Sequence, residues 1–326
     1  MNPALSVIFL TTLIGVGQGL FLALFTVEVY SLFDLLPDQD GRTFYAAGSA
    51  VSLALLVLGL VASFFHLGRP ERGWRAAARW RTSWLSREVI VLPAFMGAVL
   101  LYGATHWLGW QTPGISLGAS LRVGPSVVAG AAATLLAAAL FLCTGMVYAC
   151  IKFLQEWATP LTVVNYTLLG TASGFMVATV FAAYAAPELV AFFAGWAAIF
   201  TGTALATRTA SLVRNARLKP KSSPQTAIGV KHPRIVQTTQ GFMGGSFNTR
   251  EFFHGRTRAF LRSMKWTFLA LAFLVPLAAL AAGIAWKSTL LLLIAGAVQY
   301  VGLLAERWFF LAQANHPQNI YYQAVA

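Results

Sequence analysis

His66 and Glu88 carry the residue types most suited to proton chemistry in this chain. They bracket a basic, tryptophan-studded stretch, SFFHLGRPERGWRAAARWRTSWLSREV, that runs between two long apolar segments. An imidazole donates to or protonates a carbonyl oxygen, and a carboxylate relays protons from water. Ionisable side chains at membrane depth are costly and point first to function. The structural alternative is that both residues cap helix ends, with Glu88 favoured by the dipole of a helix N-terminus. The residues alone leave these two readings open.

Other chemistry finds less support. A bis-histidine haem needs two histidines at matching depth on facing helices. Of His66, His106, His232, His254 and His316, only His66 and His316 are expected near the membrane on one side, and His316 precedes a proline beyond the last span. No haem is expected. Two cysteines, Cys143 and Cys150, cannot build a thiolate cluster, and the chain has no zinc or iron–sulfur spacing. Both are expected to be buried small residues. The run Gly15-Val16-Gly17-Gln18-Gly19 lies inside an apolar segment with no preceding strand, so it is no dinucleotide loop. Gly15 and Gly19 instead form a small-xxx-small pair suited to close helix packing. Glu28 reads as a snorkelling interfacial residue, and Glu306-Arg307 as a local pair at the end of the last span.

The elements that must position these groups are membrane helices. The chain is 58% hydrophobic and 10% charged, against about 25% charged residues in soluble domains. Its apolar runs are continuous and around 20 residues long, enough helix to cross the hydrocarbon core. The pattern predicts an all-α integral membrane protein, one domain over 1–326, with eight spans near 4–29, 44–66, 88–108, 124–150, 160–185, 188–211, 265–285 and 288–312. Connections are short except for a long basic sixth loop, 207–265. Nine of the ten tryptophans fall near predicted span ends, where their rings suit the headgroup layer, and Trp196 sits inside a span.

Lysine and arginine split 20 to 3 between the two sides, which places both termini and the even-numbered loops in the cytoplasm. The formal net charge of +13 gathers at that inner face, so anionic lipid or an acidic partner is the expected counter-charge rather than nucleic acid. Within the sixth loop, Lys219–Pro224 reads as flexible. The later GFMGGSFNTREFFHGRTRAFLRSMKW reads as an interfacial or docking segment.

At His66-Leu67-Gly68-Arg69-Pro70 and Ser83-Trp84-Leu85-Ser86-Arg87-Glu88 the sequence resembles the membrane anchor subunits of the dimethyl sulfoxide reductase family. The eight-span layout agrees, so the resemblance covers essentially the whole chain. It implies a haem-free anchor in a heterotrimer, with a molybdenum-cofactor catalytic subunit and an iron–sulfur subunit that exchanges electrons with ubiquinone or menaquinone at the anchor. It also implies that His66 and Glu88 belong to the quinone site. Arg69 and Arg87 are expected to orient that site, and Arg72, Arg75, Arg79 and Arg81 to dock the partner; lipid binding is the plainer role for these arginines. Within the family, the opening residues and the arginine-rich stretch look most like anchors that serve sulfite dehydrogenases, which oxidise sulfite to sulfate and reduce quinone. Anchors of dimethyl sulfoxide or polysulfide-type reductases, which oxidise quinol, are the alternative. The expected location is a bacterial inner membrane, with the partners on the cytoplasmic face. A passive tether, or a secondary transporter with a polar site at mid-membrane, are the readings from other classes.

Overall fold

A computed structural model describes residues 1–110, 115–117, 121–236 and 251–320. Among these, eight helices are long and apolar enough to cross a membrane. We label them α1 (Leu5–Leu32), α2 (Gly41–Phe64), α3 (Trp84–Trp107), α4 (Pro125–Ala149), α5 (Pro160–Ala185), α6 (Pro187–Ala216), α7 (Arg258–Ala285) and α8 (Thr289–Ala312). Two short strands, Ile115–Leu117 and Leu121–Val123, pair antiparallel between α3 and α4, so the all-helical expectation holds apart from this hairpin. The part of the expected docking segment that spans 241–250 lies outside the described residues.

Helix starts follow local chemistry. Pro125, Pro160 and Pro187 open α4, α5 and α6, where a missing N–H costs nothing and φ is already set. The Ser83, Thr159 and Ser288 side chains accept from backbone N–H groups of the first turns of α3, α5 and α8. Helix α2 begins with a wider turn at Gly41–Ala46, capped by Asp40 and directing Phe44 and Tyr45 inward.

Helices α1 and α5 form the centre of the bundle. Helix α1 packs on α2, α4, α5 and α8, while α5 packs on α1, α4, α6 and α8. Gly19 and Gly174 meet backbone to backbone, so a Cβ on either would strike main-chain atoms of the other helix. Such contacts drive association where lipid offers no hydrophobic gain. Helix α3 leans on α4 and on the basic loop, and α7 pairs with α8. The amine of Met1 donates to Ala314 O at 2.7 Å, which brings the start of α1 and the end of α8 to one end of the bundle. The basic stretch before α3 lies at that same end.

Several local expectations are corrected. Helix α6 continues to Ala216 and α7 begins at Arg258, so helix takes up both flanks of the expected sixth loop. Arg208 is therefore helical and fully buried rather than part of that loop. Trp157 is no interfacial anchor: it is buried, and its indole N–H donates to Phe310 O at 2.9 Å. Cys143 is buried, but Cys150 is exposed, because it follows the last turn of α4 at the end of the bundle.

Candidate functional site

Glu88 lies one turn inside α3. The turn is fixed from two sides: Ser83 caps it, and Arg87 clamps the preceding loop. The Arg87 guanidinium donates to Trp80 O at 2.9 Å and Arg81 O at 2.8 Å, and lies 4.2 Å over the Trp84 ring. With its donors engaged in this way, Arg87 acts as a brace between the basic loop and α3.

The Glu88 carboxylate faces inward. Thr144, on α4, donates its hydroxyl to Glu88 Oε1 at 2.5 Å. Beyond them lies a narrow cleft between α1, α3, α4, α5 and α8, whose polar wall is Thr11, Thr12, Gln18, Glu88, Thr144, Tyr166 and Arg307. Its volume is about 10 Å³, room for about one water molecule.

Arg307 links this cleft to a buried ion cluster. Its Nη1 lies 3.0 Å from Glu306 Oε2, while Arg208 Nε lies 2.7 Å from Glu306 Oε1. All three residues are at most 3% exposed. Arg307 also stacks 3.6 Å over the Tyr166 ring, beside an aromatic group of Tyr148, Trp157 and Phe310. Two guanidinium groups against one carboxylate leave a local excess of positive charge, and Glu88 is the carboxylate that shares the cleft with Arg307. Buried charges persist when they are paired and hydrogen-bonded, so Arg208, Glu306 and Arg307 form one electrostatic unit near the basic end of the bundle, with Glu88 on the cleft beside it. The sequence did mark Glu306-Arg307 as a pair. It gave no sign of Thr144, a threonine among many, and hid Arg208 behind an underestimated helix length.

His66 is placed differently. Helix α2 ends at Phe64, and the chain turns so that His66, Phe65 and Leu67 are exposed. The imidazole makes no hydrogen bond or ion pair among the described residues, and it does not line the cleft that Glu88 lines. Partial burial against neighbouring protein atoms pulls its pKa below the usual histidine value, so the ring is neutral at pH 7. The structure thus does not bring His66 and Glu88 into contact. They lie at adjoining ends of α2 and α3, one outside the bundle and one inside.

Between them, Pro70–Arg79 forms a 3₁₀ segment with no buried residue. Arg69, Arg72, Arg75, Arg79 and Arg81 are all exposed along this stretch. Arg75 and Arg81 lie over the rings of Trp74 and Trp80, and those rings are themselves 71% and 53% exposed. The result is a cationic, aromatic ledge.

At the opposite end of the bundle, Glu28 departs from expectation. It is 7% exposed rather than snorkelling, with Oε1 3.5 Å from His106 Nε2. Its neighbours on α2 and α3, Tyr45 and Tyr102, wall it in.

The comparisons with known proteins agree on one relationship. The model of the DMSO reductase anchor subunit (DmsC) family matches residues 1–310. A protein of Allochromatium vinosum, named as a subunit of sulfite dehydrogenase, is 55% identical over 326 residues, covering 100% of both chains.

Proposed function

Because this chain belongs to the DMSO reductase anchor subunit family, we propose that it is the quinone-reactive membrane anchor of a sulfite-oxidising molybdoenzyme. The observation that carries the reading is the full-length relationship to a sulfite dehydrogenase subunit. In this reading a catalytic subunit with a molybdenum cofactor converts sulfite and water to sulfate, two protons and two electrons. An iron–sulfur subunit hands the electrons to quinone at the anchor, and two protons complete the quinol.

The chain's own residues divide the work by position. The water-sized cleft beside Glu88 is too small for a ring, so the quinone headgroup is received outside it, at the apolar corner of Phe64, Phe65 and Leu67. There neutral His66 donates a hydrogen bond to one quinone carbonyl. Glu88 relays protons between the cytoplasmic side and the quinone, held in orientation by Thr144. Arg69 flanks the corner, and Arg87 keeps the loop and α3 in register. The ledge of Arg72, Arg75, Arg79 and Arg81 presents a cationic surface to an acidic face of the iron–sulfur subunit. The 20-to-3 charge split supports a cytoplasmic location for this end, both termini and the partners.

Replacing His66 with alanine in the intact complex tests the reading. Loss of sulfite-dependent quinone reduction with assembly and artificial-acceptor activity retained supports it. Unchanged quinone reduction makes the chain a tether.

A further inference from the structure

The end of the bundle away from the basic loops holds a second constellation that the quinone reading does not use. A cavity of about 740 Å³ opens there between the ends of α1, α2 and α3 and the start of α4. Glu28 lies at its floor, at least nine-tenths buried, and among the described residues its Oε2 meets no donor in hydrogen-bond geometry. His106 reaches it from α3. The imidazole is clamped between Tyr45, stacked at 4.4 Å, and Tyr102, edge-on at 4.7 Å. This sandwich directs Nε2 at the Glu28 carboxylate, 3.5 Å away and short of a hydrogen bond. The Tyr102 hydroxyl is buried beside Glu28, near enough to turn its proton toward the carboxylate.

Unmade hydrogen bonds around a buried carboxylate are expensive; a proton shared between Glu28 Oε1 and His106 Nε2 would satisfy the imidazole nitrogen, and the Tyr102 hydroxyl is the nearby donor for the other oxygen. The other charged groups facing the cavity are engaged or peripheral. Asp40 accepts from the Thr43 N–H and hydroxyl as the cap of α2. Arg42 donates to Trp107 O and lies over the Trp107 ring. Asp38 is exposed at the rim, α1 adds Ser31, and α4 adds only Ser126. A metal ion lacks ligands, since no group of three suitable side chains occurs among the described residues.

We infer that Glu28 and His106 form a proton-exchange site that opens, through this cavity, to the compartment opposite the basic loops. One proton resides between the carboxylate and the imidazole and is traded with bulk water on that side. Tyr45 and Tyr102 hold the imidazole in place and exclude larger cations from the pair. Separately from any quinone chemistry, the chain therefore carries a titratable group for each side of the membrane.

The test is infrared difference spectroscopy of the intact complex in proteoliposomes, with the pH stepped on one side at a time. A carboxyl signal that follows the pH of the side opposite the basic loops, and that Glu28→Gln removes, is the expected result. His106→Gln should abolish the shared-proton signature and change the carboxyl signal, which gives a second reading if Glu28→Gln fails to assemble. Quinone-coupled turnover within twofold of wild type serves as the fold control for both variants. The inference is overturned if no such carboxyl titrates, if the signal follows the pH of the basic-loop side, or if sodium at constant pH displaces it. None of these outcomes alters the quinone reading, which rests on His66 and Glu88.

Discussion

Thr144 donates its hydroxyl to the Glu88 carboxylate across the α3–α4 interface at 2.5 Å. This makes a helix with no part in the basic loop responsible for the aim of the proposed proton carrier. Thr144→Val keeps the shape and removes the donor, leaving a carboxylate oxygen unsatisfied at a cost of about 1–3 kcal/mol. Quinone-coupled turnover is expected to fall at least severalfold, with a displaced pH profile and unchanged assembly. Thr144→Ser, which restores the donor, should recover most of it. Equal turnover in the valine and serine variants would show that the hydroxyl has no role in the reaction.

The ion cluster predicts an order of stabilities. Glu306→Gln leaves Arg208 and Arg307 buried without their shared carboxylate, an expected loss of about 3–5 kcal/mol. Arg208→Met leaves Glu306 with one arginine and restores a balanced pair, so it should cost less. Thermal unfolding of the complex in detergent measures both, and the reverse order would contradict the pairing of Glu306 with the two arginines.

The contact of α1 with α5 tolerates little change. At Gly19 and Gly174 an added Cβ would meet backbone, which cannot swing aside as a flexible side chain does. Gly174→Val is expected to abolish a stable bundle or lower its unfolding temperature steeply. The same substitution at Gly97, where a Cβ meets open space, should be nearly silent. Detergent-solubilised yield and thermal unfolding of the pair decide the point.

Desolvation disfavours the charged form of His66, so its pKa lies below the usual 6.5. As pH falls through that lowered value, the imidazole must charge where charge is disfavoured, so any stability linked to it is lost on the acid side and is complete above 6.5. The imidazolium still donates to a quinone carbonyl, so an effect of this ionisation on turnover comes through its charge beside the quinone and falls in the same pH range. The acid limb of quinone reduction in wild type should therefore lie below pH 6.5, and His66→Gln should remove it. An acid limb unchanged in His66→Gln would assign it to another group.

Most of the fold was legible because lipid enforces it. Continuous apolar runs, prolines at helix starts and the charge asymmetry each follow from one-dimensional rules, and the observed span ends lie within about two helical turns of their expected positions. The site was legible only where sequence-local signals exist: the flanks of the basic loop advertise His66 and Glu88. What those signals could not convey is direction. His66 turns outward and Glu88 inward because α2 ends two residues before the histidine, whereas α3 begins four residues before the glutamate. Buried polar pairings between distant helices, such as Thr144 with Glu88 or Arg208 with Glu306, leave no trace in spacing. Glu28 misled for the same reason, since only the arrival of α3 with His106 and Tyr102 encloses it.

The central place of α1 bears on how the bundle is made. It is synthesised before α5, yet its glycine face is complete only when Gly170 and Gly174 arrive about 150 residues later. Gln18 and Glu28 gain their neighbours earlier, Glu28 when α3 brings His106 and Gln18 when α4 brings Ala137. The helix destined for the core is therefore enclosed in steps, its polar groups first and its glycine face later. In order of synthesis, the closest helix contact of α1 therefore comes after those that cover its polar groups.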